Sequence, residues 1–152
     1  MKRIFAMIAG VAMLMAAGTA MAAGTNTMTV SANVVGTCKF SAATSTLGFG
    51  NLDPALTTDA TAAVNVAFWC TKGATYTVGD DGGLYNVGGP RMQHATDPTQ
   101  FIPYTISYTN TGTGAGKTTA ANLAVSGLVA NADYVNALAG NYQDTVTVTI
   151  TP

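Results

Sequence analysis

The segment "GNYQDTVTVTI", residues 140–150, alternates threonine with valine and then isoleucine from Thr145 onward. Side chains of a β-strand point alternately to its two faces, so Val146, Val148 and Ile150 share one face. The segment "TMTVSANVV", residues 27–35, has nearly the same pattern. The sequence therefore predicts a β-strand near each end of the chain, although exposed edge strands invite pairing with other chains.

Residues 1–22 have the organisation of a signal peptide. Lys2 and Arg3 precede a short apolar core, and Ala20-Met21-Ala22 places small residues before a cut after Ala22. A membrane anchor is the competing interpretation, but the apolar core is too short for a span of about 20 residues. We expect an exported mature chain that begins at Ala23.

The mature chain has one domain's length and little charge. Removing 22 of the 152 residues leaves 130, enough for one core but not for two. Four cations against seven aspartates give a mature net charge of −3, which does not indicate a nucleic-acid partner. Free soluble domains carry about a quarter charged residues, so we expect a surface that contacts copies of itself. The four cations are Lys39, Lys72, Arg91 and Lys117.

Cys38 and Cys70 are the only cysteines. In an exported chain they predict one disulfide, worth roughly 3.5 to 4 kcal/mol in the chain-entropy model. A zinc site would need more ligands than two cysteines and the distant His94. The sequence predicts no metal and no cofactor.

Alternating segments recur along the mature chain. They include residues 62–70 and residues 101–109, and glycine-rich stretches at 79–90 and 110–120 separate the strands. Short strands, glycine-rich turns and an inter-strand disulfide predict an all-β sandwich. The predicted inward faces are Val64, Val66, Phe68 and Cys70 in one segment, and Ile102, Tyr104, Ile106 and Tyr108 in the other.

No motif indicates catalysis. "TGTGAGKT", residues 111–118, has threonine where a P-loop needs its first glycine, so a surface loop is favoured. His94 has neither a nucleophile elbow nor a motif-placed carboxylate, which favours a surface histidine beside a turn. Residues 80–83, Asp-Asp-Gly-Gly, lack the ligand series of a calcium loop and favour a turn. The aromatic side chains are assigned to packing rather than to a sugar site.

Several segments together resemble the spore coat protein U domain family, which includes subunits of archaic chaperone–usher pili. The most specific is "AGNYQDTVTVTI" at 139–150; the others are Cys38, "LGFGNLDP" at 47–54, "WCTKGATYTV" at 69–78, Arg91-Met92, and Tyr104 in "IPYTISYT". The resemblance implies an immunoglobulin-like sandwich that lacks its final strand. It also implies a periplasmic chaperone and an outer-membrane usher as partners, and completion of each subunit by the N-terminal extension of the next.

Residues 23–35 fit the role of that extension, and residues 36–152 would form the pilin-like domain. Alternation alone leaves two interpretations open, a first strand of the chain's own sandwich or a donor strand, and the resemblance favours the donor strand. Its four apolar side chains on one face are Met28, Val30, Ala32 and Val34.

The sequence therefore predicts a non-enzymatic subunit of a surface pilus that supports adhesion or biofilm formation. The alternative is a monomeric secreted coat protein or carbohydrate-binding module with the same sandwich.

Overall fold

The computed structural model describes residues 23–152, so the predicted signal peptide lies outside the described residues. The chain divides into two units between Asn33 and Val34. In the first unit, residues 23–33 have no regular secondary structure and are exposed. The second unit contains all the strands of residues 23–152.

Ten strands and one short helix form the second unit. In chain order they are β1 (Cys38–Phe40), β2 (Ala60–Cys70), β3 (Thr75–Asp80), β4 (Arg91–His94), β5 (Phe101–Pro103), β6 (Thr105–Ser107), β7 (Thr111–Thr113), β8 (Ala121–Val129), α1 (Asn131–Tyr134), β9 (Tyr142–Gln143) and β10 (Val148–Thr151). They form a four-stranded sheet of order β1-β2-β8-β6 and two three-stranded sheets, β10-β3-β7 and β5-β4-β9. Every strand pair is antiparallel. The predicted all-β fold is confirmed.

The predicted alternation places the apolar side chains between these sheets. Phe68 and Cys70 of β2 are each 2% exposed, and they cluster with Val78 of β3 and with Leu123 and Val125 of β8. A second cluster contains Ile102, Tyr104, Val129 and Tyr134. Burial of each large apolar side chain contributes roughly 1.5 to 3 kcal/mol.

The disulfide joins the first two strands. Cys38 and Cys70 are direct cross-strand partners in the β1–β2 pair and are bonded to each other. Because β1 has only three residues, this covalent link holds a strand that has few ladder hydrogen bonds of its own.

Strand β8 is the longest element that lies outside the segments predicted from alternation. Apolar side chains alternate along its buried face, except at Gly127, which is buried but has no side chain. A Cβ atom at Gly127 would come within 2.8 Å of Leu47 Cδ2 and of Phe49 Cζ. The glycine therefore gives room to two apolar side chains from a distant segment, and this requirement is not visible in local sequence.

The glycine-rich stretch at 110–120 is not entirely a surface loop, which corrects the prediction. Residues Thr111–Thr113 form the edge strand β7 against β3. The Tyr76 ring lies over Gly112, where a Cβ atom would come within 2.3 Å of the tyrosine hydroxyl. Glycine is used here for close packing as well as for turning.

Helix α1 is the single helix of residues 23–152, and contacts with the loop before β2 hold it. The Asn131 amide donates to the Asp59 carboxylate at 2.8 Å, and the Tyr134 hydroxyl donates to the Thr58 carbonyl at 2.7 Å. In the described part of the chain, no helix has the length and apolar character needed to cross a membrane.

Candidate functional site

An open groove of about 860 Å³ runs along the second unit, between residues 45–52 on one side and residues 139–148 on the other. Its floor is made by inward-facing side chains of two sheets, the four-stranded sheet and the sheet β5-β4-β9. They include Val64 and Val66 of β2, Met92 of β4, Ile102 of β5, Ile106 of β6 and Val125 of β8. The groove is therefore an opening onto the apolar core.

The floor is less buried than the closed parts of the core. Val64, Val66 and Ile106 point inward but remain half-buried, whereas Val129 is fully buried and Phe68 is 2% exposed. Side chains in a closed sandwich would be covered from both sheets. The difference indicates that one covering element is missing above these positions.

The first wall has unpaired backbone. Residues 45–52 have no regular secondary structure, and within residues 23–152 they make no backbone–backbone hydrogen bond. Leu47, Phe49 and Leu52 are nevertheless half-buried and pack on the two core clusters. Their side chains anchor the segment and leave its backbone N–H and C=O groups available to a neighbour.

The second wall is the open edge of the last strand segment. β9 and β10 are each the terminal strand of their three-stranded sheets, so one side of both strands has no strand neighbour. Val146, Val148 and Ile150 are half-buried and pack on the core clusters, so they share the inward face of this segment. The groove thus lies between two unpaired edges, as a missing strand would leave it.

Asp144 fixes the second wall to the body of the sheet. Its carboxylate accepts hydrogen bonds from the Tyr104 hydroxyl at 2.6 Å and from the Leu84 amide at 2.9 Å. Burial, and then the hydrogen bond to Asp144, raise the pKa of Tyr104 well above its usual value of 10.0. A Cβ atom at Gly83 would collide with this carboxylate, so glycine is required where the connection between β3 and β4 meets the wall.

Residues 80–83 do not form the predicted turn: Asp80 ends β3, and the turn lies at residues 84–85. Residues 81–83 run beside the same terminal segment. The Asp81 carboxylate accepts hydrogen bonds from the Gly83 amide at 3.0 Å and from the Thr147 amide at 2.9 Å. These bonds hold the pKa of Asp81 below its usual value. Asp80 accepts from the Tyr108 hydroxyl, and burial together with this bond raises the pKa of Tyr108 to about 12. Among residues 23–152, no three acidic, cysteine or histidine side chains form a group that could hold a metal ion.

His94 is buried, which corrects the expectation of a surface histidine. It is 6% exposed, and its Nδ1 accepts hydrogen bonds from the Asp97 amide at 3.0 Å and from the Thr96 amide at 3.3 Å. Its Nε2 lies 3.3 Å from the Ala139 carbonyl, to which the neutral Nε2–H tautomer donates. The imidazole therefore ties the β4–β5 turn to the segment before β9, a contact that sequence spacing could not reveal.

The candidate donor side chains are highly exposed. Met28 is 79% exposed, Val30 86% and Val34 80%, and Ala32 is also exposed. Residues 23–37 form no strand. The structure therefore contains no first strand built from residues 27–35, and the assignment of these residues as a donor strand stays a prediction.

Among solved structures, the chain is similar to a chain in the crystal structure of the CsuC–CsuE chaperone–tip adhesion subunit pre-assembly complex from the archaic chaperone–usher Csu pili of Acinetobacter baumannii. The TM-score is 0.53 at 20% identity, which indicates a shared fold. The match covers 77% of this chain but 40% of that chain, so this chain spans less than half of its length.

A search of curated proteins found no match. Residues 24–149 match the family model of the Spore Coat Protein U domain, which is nearly all of the described sequence. The chain therefore belongs to the Spore Coat Protein U domain family.

Proposed function

We propose that this protein is a structural, non-enzymatic subunit of a surface pilus, assembled by donor-strand exchange. In this proposal the chain is exported to the periplasm and held there by a chaperone. An outer-membrane usher then joins it to related subunits in a fibre that serves adhesion or biofilm formation. The family membership and the similarity to a chaperone–pilus subunit complex support this role.

The observation that carries the proposal is the half-buried core between two unpaired edges. An extended segment placed between residues 45–52 and 139–148 would pair with backbone on both sides and cover the floor with alternate side chains. A rigid sugar or small metabolite could not satisfy two rows of backbone groups in this way.

Residues 27–35 of a second copy supply a suitable strand. Met28, Val30, Ala32 and Val34 share one face, while polar side chains occupy the other face. Their present exposure means that transfer into a groove would remove much apolar surface from water. Each large side chain would contribute on the order of 1.5 to 3 kcal/mol, and Ala32 less.

The polar groups around the groove support a structural role. Asp144, Tyr104 and His94 hydrogen-bond to partners that fix strands and turns. None of these bonds couples a nucleophile to a base in the way that covalent catalysis requires.

Replacing Val30 with aspartate tests the donor strand. An unpaired carboxylate in the apolar groove of the next subunit would have to remain desolvated or take up a proton. Thr29→Asp is the matched control, because it adds the same charge to the neighbouring position on the opposite face of the strand. We expect Val30→Asp cells to contain normal amounts of periplasmic, chaperone-bound subunit but little surface fibre, and Thr29→Asp cells to assemble fibres.

The measurement compares periplasmic subunit with surface fibre by immunoblotting of the two fractions. Normal fibres from Val30→Asp cells would overturn the donor-strand proposal. Loss of the subunit before assembly would instead indicate that residues 27–35 belong to the protein's own sheet. A secreted monomer in the wild type would favour a coat or carbohydrate-binding protein.

A further inference from the structure

Three of the four cations of the described residues lie at one end of the second unit, which we call the proximal end. Lys39 of β1 lies opposite Trp69 of β2, and Lys117 places its Nζ 5.8 Å from the centre of the Trp69 ring. Lys72 follows Cys70 by two residues. All three lysine side chains are exposed.

Hydrogen bonds bring the three lysine-bearing segments together. The Thr71 amide donates to the Thr37 carbonyl at 2.9 Å, and the Gly116 amide donates to the Cys70 carbonyl at 3.0 Å. The segments that meet here, residues 34–41, 69–76 and 110–118, contain no acidic residue. The side chains of these three segments therefore carry a formal charge of +3.

Three aspartates lie at the opposite end, which we call the distal end. Asp59 precedes the first residue of β2 and accepts from the Asn131 amide at the start of α1, the helix that also contains Asp133. Asp53 belongs to the adjoining turn, since the Asn131 side chain donates to the Leu56 carbonyl and the Leu56 amide donates to the Asp53 carbonyl. All three aspartates are exposed.

The two ends are separated by the length of β2, from Ala60 to Cys70. Ten steps of about 3.3 Å place them about 33 Å apart along the strand. This distance is several times the screening length of about 8 Å at physiological salt, so the two groups do not neutralise each other within one molecule.

The second unit begins at the proximal end, and the groove reaches the distal end. The Val35 carbonyl accepts a hydrogen bond from the Thr71 hydroxyl, which places the start of the unit beside the lysines. The groove is lined at its other limit by Leu52, Pro54 and Tyr134, which neighbour the aspartates in sequence.

We propose that successive copies contact each other through these ends, with the lysines of the donor copy facing the aspartates of the acceptor copy. This inference rests on the proposed donor-strand function and adds a second contact to it. If Val34 of the donor enters beside the distal end, the donor's proximal end meets the acceptor's distal end. The opposite direction would bring lysines against lysines, so the charges select one direction of entry.

The contact acts mainly on the rate of association. Individual exposed ion pairs contribute little to affinity, whereas complementary charged surfaces accelerate encounter by tenfold or more at low salt. The groove supplies the lasting interaction, and the charged ends orient the copies before the strand enters.

Three proteins with similar net charge test this contact. The variant Lys39→Gln/Lys72→Gln/Lys117→Gln removes the proximal charge and changes the mature net charge from −3 to −6. A matched control, Ala63→Glu/Asn65→Glu/Thr149→Glu, also reaches −6 by adding charge at exposed positions in the middle of strands, away from both ends. The exchanged variant Lys39→Glu/Lys72→Glu/Lys117→Glu/Asp53→Lys/Asp133→Lys has −5 and keeps Asp59, which holds α1.

Light scattering follows polymerisation of the mature chains after dilution from denaturant, with thermal unfolding as the check on folding. At low salt we expect the glutamine variant to polymerise about tenfold or more slowly than the wild type, and the difference to disappear at high salt. The matched control should retain a near wild-type rate, and the exchanged variant, whose ends again have opposite charges, should polymerise faster than the glutamine variant. A glutamine variant as fast as the matched control would overturn the contact.

The Val30→Asp background separates this inference from the proposed function. If the Val30→Asp variant polymerises normally, donor-strand exchange is refuted. The charge contact is then tested separately, by static light scattering of unpolymerised protein at low salt. In that measurement, the attraction between monomers should be weaker for the glutamine variant than for the matched control. Equal self-attraction would refute the contact, whatever the outcome for the groove.

Discussion

Asp144 is the residue that links the specific end of the sequence to the wall of the groove. It lies two residues before Val146 and accepts hydrogen bonds from Tyr104, which lies between β5 and β6, and from an amide of the 79–90 connection. A carboxylate can accept several such bonds at once, and hydrogen bonds to charged groups are worth more than neutral ones. Asp144 therefore sets the position of the strand edge that a donor would meet.

Replacing Tyr104 with phenylalanine tests this link. The variant loses a hydrogen bond to a charged partner, so we expect urea unfolding to show a loss of about 1.5 to 3 kcal/mol at neutral pH. Tyr85→Phe is the control, because no hydrogen bond of the Tyr85 hydroxyl is seen in residues 23–152. Equal stability of the two variants would contradict the role of Asp144.

The difference in stability between the wild type and Tyr104→Phe should depend on pH. Because the pKa of Tyr104 is raised in the folded state, its stabilising contribution is complete below pH 10 and is lost as pH rises above 10. The difference in unfolding free energy between wild type and Tyr104→Phe should shrink over that range. A difference in unfolding free energy that grows as the pH rises above 10 would contradict this prediction.

At the scale of elements, the disulfide compensates for the shortness of β1. Cys38 and Cys70 are separated by 32 positions in sequence, and both belong to the same cluster as Phe68. The bond fixes the point at which the chain enters the sandwich, close to Val35 and the proximal lysines. A donor extension would therefore leave the sandwich at a point that the disulfide holds in place.

Removing both cysteines should therefore destabilise the domain. For Cys38→Ala/Cys70→Ala, the chain-entropy model gives a loss of roughly 3.5 to 4 kcal/mol, measured by urea unfolding. Mass spectrometry of the unreduced wild type should find no free thiol. Two free thiols, or an unchanged unfolding midpoint in the double variant, would contradict the structural role of the bond.

At the scale of the whole molecule, the groove leaves apolar side chains and backbone groups uncovered in the second unit. Such a surface is rarely compatible with a stable monomer, because both unpaired strand edges and apolar patches promote association. We therefore expect the purified mature protein to polymerise or aggregate when no chaperone is present.

An excess of a synthetic peptide covering residues 24–35 should suppress that association by occupying the groove. Sedimentation velocity measures the fraction of monomer, and the same peptide carrying Val30→Asp is the control. A wild-type chain that remains monomeric over a wide concentration range without peptide would contradict this expectation.

The sequence alone determined the features that arise from local alternation. Period-two patterns predicted the faces of β2, of the 101–109 segment and of the terminal strand, because neighbouring side chains of an extended backbone must point to opposite sides. The cysteine pair and the family resemblance were also available from the sequence, because both rest on residue types at given positions. The signal peptide stays a prediction. β8 carries the same alternation in Leu123, Val125 and Val129 and could have been found from it.

Tertiary structure alone decided which edges remain open and where charges collect. Residues 45–52 and 139–148 are about ninety positions apart, and only sheet order places them on either side of one groove. The same is true of buried His94, of Gly127 beneath Phe49, and of the lysines that gather from three segments. Local sequence fixes the direction in which a side chain points, but its neighbours depend on long-range strand pairing, which the local pattern does not encode.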